Sequence, residues 1–328
     1  MPSSVKSNEE QEECLAAFRE LLGGDSSEYS DTRLKQFLVA RNWDINAAKK
    51  QLDETLAWRK SNEIDLLPCA TRQNGLPLLV AIRGFESFDD GNVQVKPGLS
   101  DSVVRISNLM GGDCIHKVDR EGHPLLIDRT GYHKAKELCT EVTAEQVTQY
   151  QVSCNEFLNR VVMPECSLRA GHTIHQETVI FDCNNLGLAQ FHMSALQLLK
   201  TVLDIIQHYY PETLNKMFVV NAPTVFVAMW KIIKPWLEPR TLEKIHIVSK
   251  GSTAETLLQY IAPENLPDFL GGTCTCSHMP GGCVPSVVMG NVPPLEPTSE
   301  NEKTSSVYNS DLMERAKSDR ALRGPVDS

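Results

Sequence analysis

The densest group of side chains able to do chemistry consists of Cys274, Cys276, His278 and Cys283. Thiolate and imidazole are ligands that zinc prefers, so these residues could hold a metal ion. Their spacing lacks the paired C-x-x-C arrangement of common zinc modules, and glycine pairs at 271–272 and 281–282 flank them. A glycine-rich loop of small residues is the favoured interpretation. We therefore predict no metal site, with metal binding by this group as an open alternative.

The sequence patterns that mark common α/β enzymes are absent. The chain has no G-x-G-x-x-G after a strand-like run, no G-x-x-x-x-G-K-[ST], no G-x-S-x-G and no H-E-x-x-H. Asp128 and Asp182 end two apolar runs, where α/β sheets often place ligand groups, but capping of the following turn is the favoured interpretation. Since no nucleophile with its base can be named, we predict no catalytic residues and no enzymatic activity.

The segment 222–239, APTVFVAMWKIIKPWLEP, is the most unusual stretch of the chain. As a helix it would be apolar on nearly every face, so it must be buried or must contact something apolar other than water. It is too short to cross a bilayer. Lys231 and Lys234 border Trp230 and Trp236, an arrangement suited to a membrane interface. Ordinary core and lipid or membrane contact both stay open on this pattern.

The elements that must position these residues alternate along the chain. Four short apolar runs read as buried strands: PLLID (124–128), TVIFD (178–182), MFVVN (217–221) and IHIV (245–248). Helical patterns separate or follow them at 143–163, 193–207, 223–233 and 253–261. This alternation predicts an α/β fold with a mainly parallel sheet.

Composition divides the chain into three parts. Residues 1–75 predict a helical module, with Asp31 and Thr32 as plausible caps and a new helix start at 44–46. Residues 76–284 predict the α/β lobe, with a loop insertion at 84–100 that is rich in Gly, Asp and Ser. Residues 285–328 are polar and predict a disordered tail.

Charge and hydropathy exclude several classes of protein. The 328 residues carry a formal net charge of −10, which argues against sequence-independent nucleic-acid binding. No window has the roughly 20 uninterrupted apolar residues that a membrane span needs, and the N-terminus lacks a signal-peptide core. The ten cysteines are mostly dispersed, as reduced thiols would be. These features predict a soluble, cytoplasmic protein.

Several longer motifs follow one another along the chain: DTRLKQFLVARNWDINAAKKQLDETLAWR, HKVDREGHPLLIDRTGY, VIFDCNNLGL, HYYPETLNKMFVVNAPTVFVAMWKIIKPWLEPRTLEKIHIV and IAPENLPDFLGG. Together they resemble the Sec14-like, or CRAL-TRIO, lipid-binding family. They cover about residues 30 to 275 in the family's order. The resemblance implies a helical module beside a lobe whose sheet floors an apolar pocket closed by a mobile helix. That gate would be 223–237, with its pocket lining formed by Val225, Phe226, Met229, Trp230, Ile233 and Trp236.

The resemblance also implies a phosphatidylinositol headgroup site, at positions matching Arg41, Glu212, Thr241 and Lys244. Arginine and lysine give charge-assisted hydrogen bonds to phosphate, and glutamate accepts from inositol hydroxyls. Two departures weaken the site's positive charge, since Asn42 and Thr213 stand where relatives carry Lys and Arg. As alternatives, Arg41 could cap its helix and Lys244 could be a solvated surface charge.

Phosphatidylcholine fits the sequence less well. Relatives that bind it use a Ser and a Thr at the positions of Glu177 and Val179, which cannot supply the same hydroxyl donors. The motifs VIFDCNNLGL and YPETL are also closer to relatives that carry tocopherol, squalene-like or other hydrophobic molecules. The native ligand therefore stays open.

We predict a protein that binds one phospholipid, phosphatidylinositol first, or another hydrophobic ligand, and transfers or presents it between membranes. It would have no cofactor besides that lipid, would bind no nucleic acid, and would meet membranes peripherally and transiently. The alternative is a lipid-sensing adaptor that contacts a protein partner through the acidic loop 86–90 or the C-terminal tail.

Overall fold

The computed structural model describes residues 6–66, 81–85, 101–188, 190 and 192–296. The helices are α1 (Asn8–Leu22), α2 (Asp31–Ala40), α3 (Ile45–Ser61), α4 (Asp101–Leu109), α5 (Ala135–Glu141), α6 (Ala144–Phe157), α7 (Met163–Ala170), α8 (Met193–Tyr209), α9 (Thr224–Ile233), α10 (Pro239–Glu243) and α11 (Thr253–Tyr260). The strands are β1 (Ile82–Arg83), β2 (Asp113–Val118), β3 (Pro124–Asp128), β4 (Glu177–Asp182), β5 (Leu214–Val220) and β6 (Ile245–Ile247).

The strands described form one six-stranded sheet in sequential order, β1 to β6. Every neighbouring pair is parallel except β2 and β3, which are antiparallel. The predicted α/β fold with a mainly parallel sheet is confirmed. Because parallel crossovers share one hand, the parallel strands β3 to β6, which are in sequential order, place their crossover helices on the same face of the sheet.

The register aligns an apolar row across that helix-covered face. It passes from strand to strand through Ile115, Leu126, Val179, Met217 and Ile245. The opposite face carries the alternate residues, which form a tightly buried core with α11 and the chain beyond it. Alternation along each strand thus separates the two faces chemically and gives each its own packing partners.

Strand β2 escapes the sequence analysis. Its sequence, DCIHKV, mixes polar and apolar residues without a regular period, so it lacks the continuous apolar run that predicts a buried strand. Its apolar Ile115 and its polar His116 point to opposite faces of the sheet, and both are buried. The strand is therefore a two-sided core element despite its polar composition.

The N-terminal module is a three-helix unit with its own core. Leu15 and Phe18 of α1 pack on Leu34, Phe37 and Leu38 of α2, and α3 closes the cluster. The cap of α2 is Ser30, whose side chain accepts from the Arg33 N–H, and not Asp31 or Thr32 as predicted. Asp44 caps α3, as the predicted helix start at 44–46 indicated.

A buried ion pair joins this module to the lobe. The Arg59 guanidinium donates from Nη1 to Glu156 Oε1 at 2.8 Å and from Nη2 to Glu156 Oε2 at 2.9 Å. Tyr210 Oη donates to the same carboxylate at 2.6 Å. Trp58 stacks on Tyr209, with ring centroids 4.1 Å apart. Polar and aromatic contacts therefore fix α3 against α6 and α8.

The polar tail packs closer to the lobe than predicted. Residues 285–296 are held by hydrogen bonds: Asn291 Nδ2 donates to Val284 O at 3.0 Å, and the Leu295 N–H donates to Asn108 Oδ1 at 2.9 Å. These hydrogen bonds, together with Leu295 packed against the α4–α6 core cluster, order residues that their polar composition predicts to be disordered. Residues 297–328 and the acidic loop 86–90 lie outside the described residues, and the domain boundaries stay predictions.

In the ranges that the structure describes, no helix combines the length and the apolar character needed to span a membrane.

The buried pair yields a stability prediction. Glu156→Gln should lower the free energy of unfolding by about 3 kcal/mol, because it leaves the Arg59 charge buried without its bidentate partner. The matched control is Asp53→Asn, which breaks the exposed Lys49–Asp53 pair on α3 and should cost less than about 0.5 kcal/mol. Urea unfolding of the two variants measures both values. Equal effects would contradict a dominant role for the buried pair.

Candidate functional site

Helices α8 and α9 cover the apolar row of the sheet. On α9, Phe226, Met229 and Ile233 are buried and belong to one cluster with Leu196 of α8 and Val219 of β5. Trp230 and Trp236 pack against the same cluster and are half-buried, as Val225 also is. The six residues predicted to line the gate therefore lie on or beside the inner face of this helix.

Much of this apolar layer remains incompletely covered. Half-buried apolar side chains pack against the cluster from the sheet and from both helices: Phe181, Leu199, Leu203, Met217, Ile232 and Ile245. Each keeps accessible surface, in contrast to the opposite face, where Ile127, Ile180 and Phe218 are fully buried. Apolar surface left accessible forfeits about 25 cal/mol per Å². The layer therefore favours any apolar molecule that completes its packing.

The outer face of α9 is exposed. Val227 is 56% accessible, and Ala228, Lys231 and Lys234 are exposed beside it. Core packing therefore accounts for one side of the all-round apolar helix and leaves the other without an apolar neighbour in the part of the chain described. Exposed apolar residues next to lysines are the arrangement expected at a lipid surface.

A charged cluster lies around the short helix α10. Lys244 Nζ donates to Glu212 Oε2 at 2.7 Å, and Arg240 Nε donates to Glu212 Oε1 at 2.9 Å. Burial alone would raise the pKa of Glu212, but the Lys244 hydrogen bond and the two positive charges outweigh it and lower the pKa. Thr241 lies on α10 between these cations, half-buried.

Arg41 reaches the same helix from the N-terminal module. Its Nη1 donates to Glu238 Oε1 at 3.2 Å, and Glu238 is the residue that precedes α10. The structure thus brings all four predicted headgroup residues to α10 or its flanks. It adds Arg240, which sequence reasoning missed although it stands next to Thr241 in the same motif.

The two departures from the family pattern have structural roles. Asn42 follows α2 with φ of 53°, a left-handed conformation that asparagine tolerates better than most residues. Thr213 is buried, and its Oγ1 donates to Tyr210 O at 3.1 Å. Both residues therefore stabilise turns at the positions where the resemblance implies a second cation.

Glu177 places an unusual carboxyl on the helix-covered face. Alternation along β4 puts it on the same side as Val179 and Phe181. It is buried, and its Oε2 has no hydrogen-bond partner among the described residues. Burial raises the pKa of Glu177 from 4.5 to about 8. The group is therefore a largely neutral acid at neutral pH, with one buried oxygen that has no hydrogen-bond partner among the described residues.

The two strand-end aspartates act in turns, as the sequence suggested. Asp182 accepts from the Asn184 N–H at 3.0 Å and from Asn221 Nδ2 at 2.7 Å, and it pairs with Arg129. Asp128 accepts from Thr130 Oγ1 at 2.9 Å. These partners occupy both carboxylates in structural contacts.

The chain is similar to several known proteins of one family. The family model described as CRAL/TRIO domain matches residues 110–272. The SEC14 cytosolic factor of Kluyveromyces lactis is 30% identical over 278 residues, covering 83% of this chain and 81% of the relative. The phosphatidylinositol/phosphatidylcholine transfer protein SFH7 of Arabidopsis thaliana is 33% identical, covering 83% of this chain but only 45% of the relative.

A solved structure shares the fold. The crystal structure of Sfh5 aligns with a TM-score of 0.50 at 16% sequence identity, covering 77% of this chain and 84% of that one. The chain belongs to the CRAL/TRIO domain family, as its motifs predicted. It spans less than half the length of SFH7.

The Glu177 carboxyl makes stability depend on pH. In the unfolded chain it ionises near its ordinary pKa of 4.5, but in the fold it stays protonated up to about 8. Unfolding therefore releases a proton in this window, so this group's contribution to stability is complete below pH 4.5 and is lost as the pH rises to 8. Glu177→Gln, which resembles the neutral acid, should escape that loss.

Urea unfolding from pH 5 to pH 8 measures this effect. The free energy of unfolding of Glu177→Gln minus that of the wild type should rise by as much as about 1.4 kcal/mol per pH unit. A difference that stays constant over the range would show that Glu177 ionises normally in the fold.

Proposed function

We propose that this protein binds one phospholipid, phosphatidylinositol foremost, and exchanges it between cytoplasmic membrane surfaces. The observation that carries the proposal is the incompletely covered apolar layer between the sheet, α8 and α9. The acyl chains would complete its packing. The Kluyveromyces and Arabidopsis relatives, whose names include phosphatidylinositol/phosphatidylcholine transfer for SFH7, support this assignment.

The physical problem of lipid exchange is solvation. Each methylene that leaves the bilayer for water costs about 0.8 kcal/mol, so a lipid crosses the cytosol only inside an apolar enclosure. Binding and release need no bond to form or break. We accordingly assign no chemical step to this chain, and the lipid is a cargo rather than a cofactor.

The headgroup would lie at the α10 cluster. Three cations, Arg41, Arg240 and Lys244, pair with two carboxylates, Glu212 and Glu238. The cluster therefore carries one excess positive charge. A phosphate can take charge-assisted hydrogen bonds from Lys244 and Arg240, while Glu212 turns to sugar hydroxyls. These ion pairs would exchange partners on binding, so each cation would keep an anionic partner with and without lipid.

Helix α9 would be the gate. Its N-terminal residue follows Pro223, which offers no side-chain cap. The segment between α9 and α10 is latched by Gln207 of α8. The Gln207 side chain donates to Trp236 O at 3.0 Å and accepts from the Glu238 N–H at 2.8 Å. Release of this latch would free α9 to turn its apolar inner face toward the bilayer, where Val227 already faces outward.

Glu177 bears on ligand choice. At this position the sequence lacks the hydroxyl donor of phosphatidylcholine binders. It carries instead a buried carboxyl whose Oε2 has no hydrogen-bond partner among the described residues. This favours phosphatidylinositol, or an uncharged hydrophobic ligand bearing one hydrogen-bond donor, over a hydroxyl-coordinated choline phosphate. A protein partner at 86–90 or in the tail stays a sequence prediction, since residues 86–90 and 297–328 are not described.

The headgroup assignment predicts a selective defect. Lys244→Ala should slow transfer of labelled phosphatidylinositol between vesicles about tenfold, the effect of losing one charge-assisted hydrogen bond. Transfer of labelled squalene, which has no phosphate, should change much less. Lys200→Ala is the matched control, because Lys200 is an exposed cation paired with Asp204 on α8. Equal slowing of both cargoes would show that Lys244 acts only in folding.

The gate assignment predicts a membrane defect. Val227→Asp places a charge on the exposed face of α9 and should reduce both vesicle binding and lipid transfer by about tenfold, because a carboxylate must be desolvated at the bilayer. Leu168→Asp is the control, since Leu168 is also exposed (67%) but lies on α7. Vesicle flotation and transfer assays measure the two effects. Equal losses in both variants would contradict a special role for α9.

A further inference from the structure

Four metal-ligating side chains converge on the face of the sheet opposite the apolar layer. His116, Cys274, Cys276 and Cys283 each offer one ligand atom, and these atoms all lie within 4.8 Å of one another. Cys274 Sγ is 3.5 Å from Cys276 Sγ, and Cys276 Sγ is 3.6 Å from His116 Nε2. His116, Cys276 and Cys283 are buried, and Cys274 is half-buried.

The partner histidine differs from the one that the sequence suggested. His278, which stands between the cysteines, is exposed and lies outside the group. His116 reaches it from β2, which is 160 positions away from Cys276 in the chain. Proximity in the sequence therefore predicted the three cysteines of the cluster correctly but the wrong histidine.

The histidine is oriented as a metal ligand would be. Its Nδ1 is 3.1 Å from Asn265 O, and a carbonyl can only accept, so Nδ1 carries the proton. In the neutral ring this leaves the lone pair on Nε2, which faces Cys276. A backbone carbonyl on the far nitrogen is the usual second-shell partner that fixes the tautomer of a zinc-bound histidine.

The loop that carries the cysteines is folded back to bring them together. Cys276 has φ of 43°, and Gly281 and Gly282 have φ of 75° and 63°. A Cβ on Gly281 would lie 2.6 Å from Pro285 Cβ, so this tight turn requires glycine. Arg83 of β1 holds the turn from below, donating to Gly282 O at 2.8 Å and to Pro280 O at 3.0 Å.

We propose that His116, Cys274, Cys276 and Cys283 bind one zinc ion in a closed, tetrahedral, structural site. Three sulfur ligands and one imidazole are the soft donor set that selects zinc over magnesium or calcium. Four protein ligands leave no position for substrate, which separates the site from catalysis. The ion would tie β2 to residues 274–283 and so clamp the chain beyond α11 onto the sheet.

Nearby cations suit the charge of such a site. Three thiolates and one Zn²⁺ carry a net charge of −1, and Lys117 follows His116 directly in the chain. The Lys117 ammonium donates to Glu264 O, beside Asn265 that orients the histidine. The site lies on the opposite face of the sheet from the proposed lipid layer, so zinc binding and lipid binding can be tested separately.

Zinc content is the first test. The full chain, purified under reducing conditions without chelators, is measured by inductively coupled plasma mass spectrometry. We expect about one zinc per chain for the wild type and for Cys166→Ser, a buried cysteine of the core on the other face. Cys283→Ser and His116→Asn should retain less than about a tenth of that. Wild-type protein that stays zinc-free after loading with zinc chloride, or equal zinc in all four proteins, overturns the proposal.

Cobalt substitution and chelation test the site without a variant. Co²⁺ added to the metal-free wild type should give thiolate charge-transfer absorption and the intense visible bands of a tetrahedral centre. A strong zinc chelator should lower the melting temperature by more than about 5 °C, because metal binding energy contributes to folding. Weak octahedral cobalt bands, or a melting temperature unchanged by chelation of a zinc-loaded sample, contradict the proposal even if the variants fail to fold.

Discussion

Apolar side chains on one face of the sheet meet two helices that cover them only in part, and the rest of the architecture is arranged around that incomplete contact. The row from Ile115 to Ile245 runs across five strands, yet Met217 and Ile245 within it keep accessible surface. An apolar layer left partly open weakens the fold, because uncovered area contributes nothing to stability. The proposed acyl chain would restore that contribution, which would link the stability of this lobe to the occupancy of its ligand.

If α9 opens the apolar layer as proposed, the rest of the fold must stay closed. The opposite face supplies one, with Leu125, Ile127 and Phe218 fully buried beneath α11 and the 274–284 segment. The bidentate Arg59–Glu156 pair fixes the N-terminal module to α6, and the stacked Trp58 and Tyr209 fix it to α8. By contrast, apolar packing of its inner face holds α9, and Gln207 holds the segment after it through two hydrogen bonds. We therefore expect the opposite face and the N-terminal module to be more rigid than α9.

The charged cluster obeys a related constraint. Arg41, Arg240 and Lys244 are each paired with a carboxylate, since unpaired cations near a partly buried site would be costly. Ion pairs whose partners can be exchanged allow the same residues to serve an empty and a filled site. Pairing in the empty state is therefore compatible with a headgroup role.

The sequence predicts β3 to β6 because each of them contains a continuous apolar run. Strands β3 and β4 are largely buried, whereas β5 is buried only in its second half and β6 is only partly buried. It also predicts α9, because an all-round apolar helix is rare outside cores and lipid contacts. It misses β2, whose His116 and Lys117 break the apolar pattern, and it therefore misses the imidazole that meets Cys276. Arg240 is missed for the reason that a single surface cation has no pattern. These failures concern contacts between distant segments, which local periodicity does not encode.

The lipid carried by the purified chain tests the central claim most directly. The full chain is purified without detergent, its mass is measured by native mass spectrometry, and the ligand is extracted and identified. The account predicts one phospholipid per chain, with phosphatidylinositol enriched relative to the lipids of the host membranes. A chain that is fully folded and carries no lipid, and that takes up none from vesicles, would contradict it.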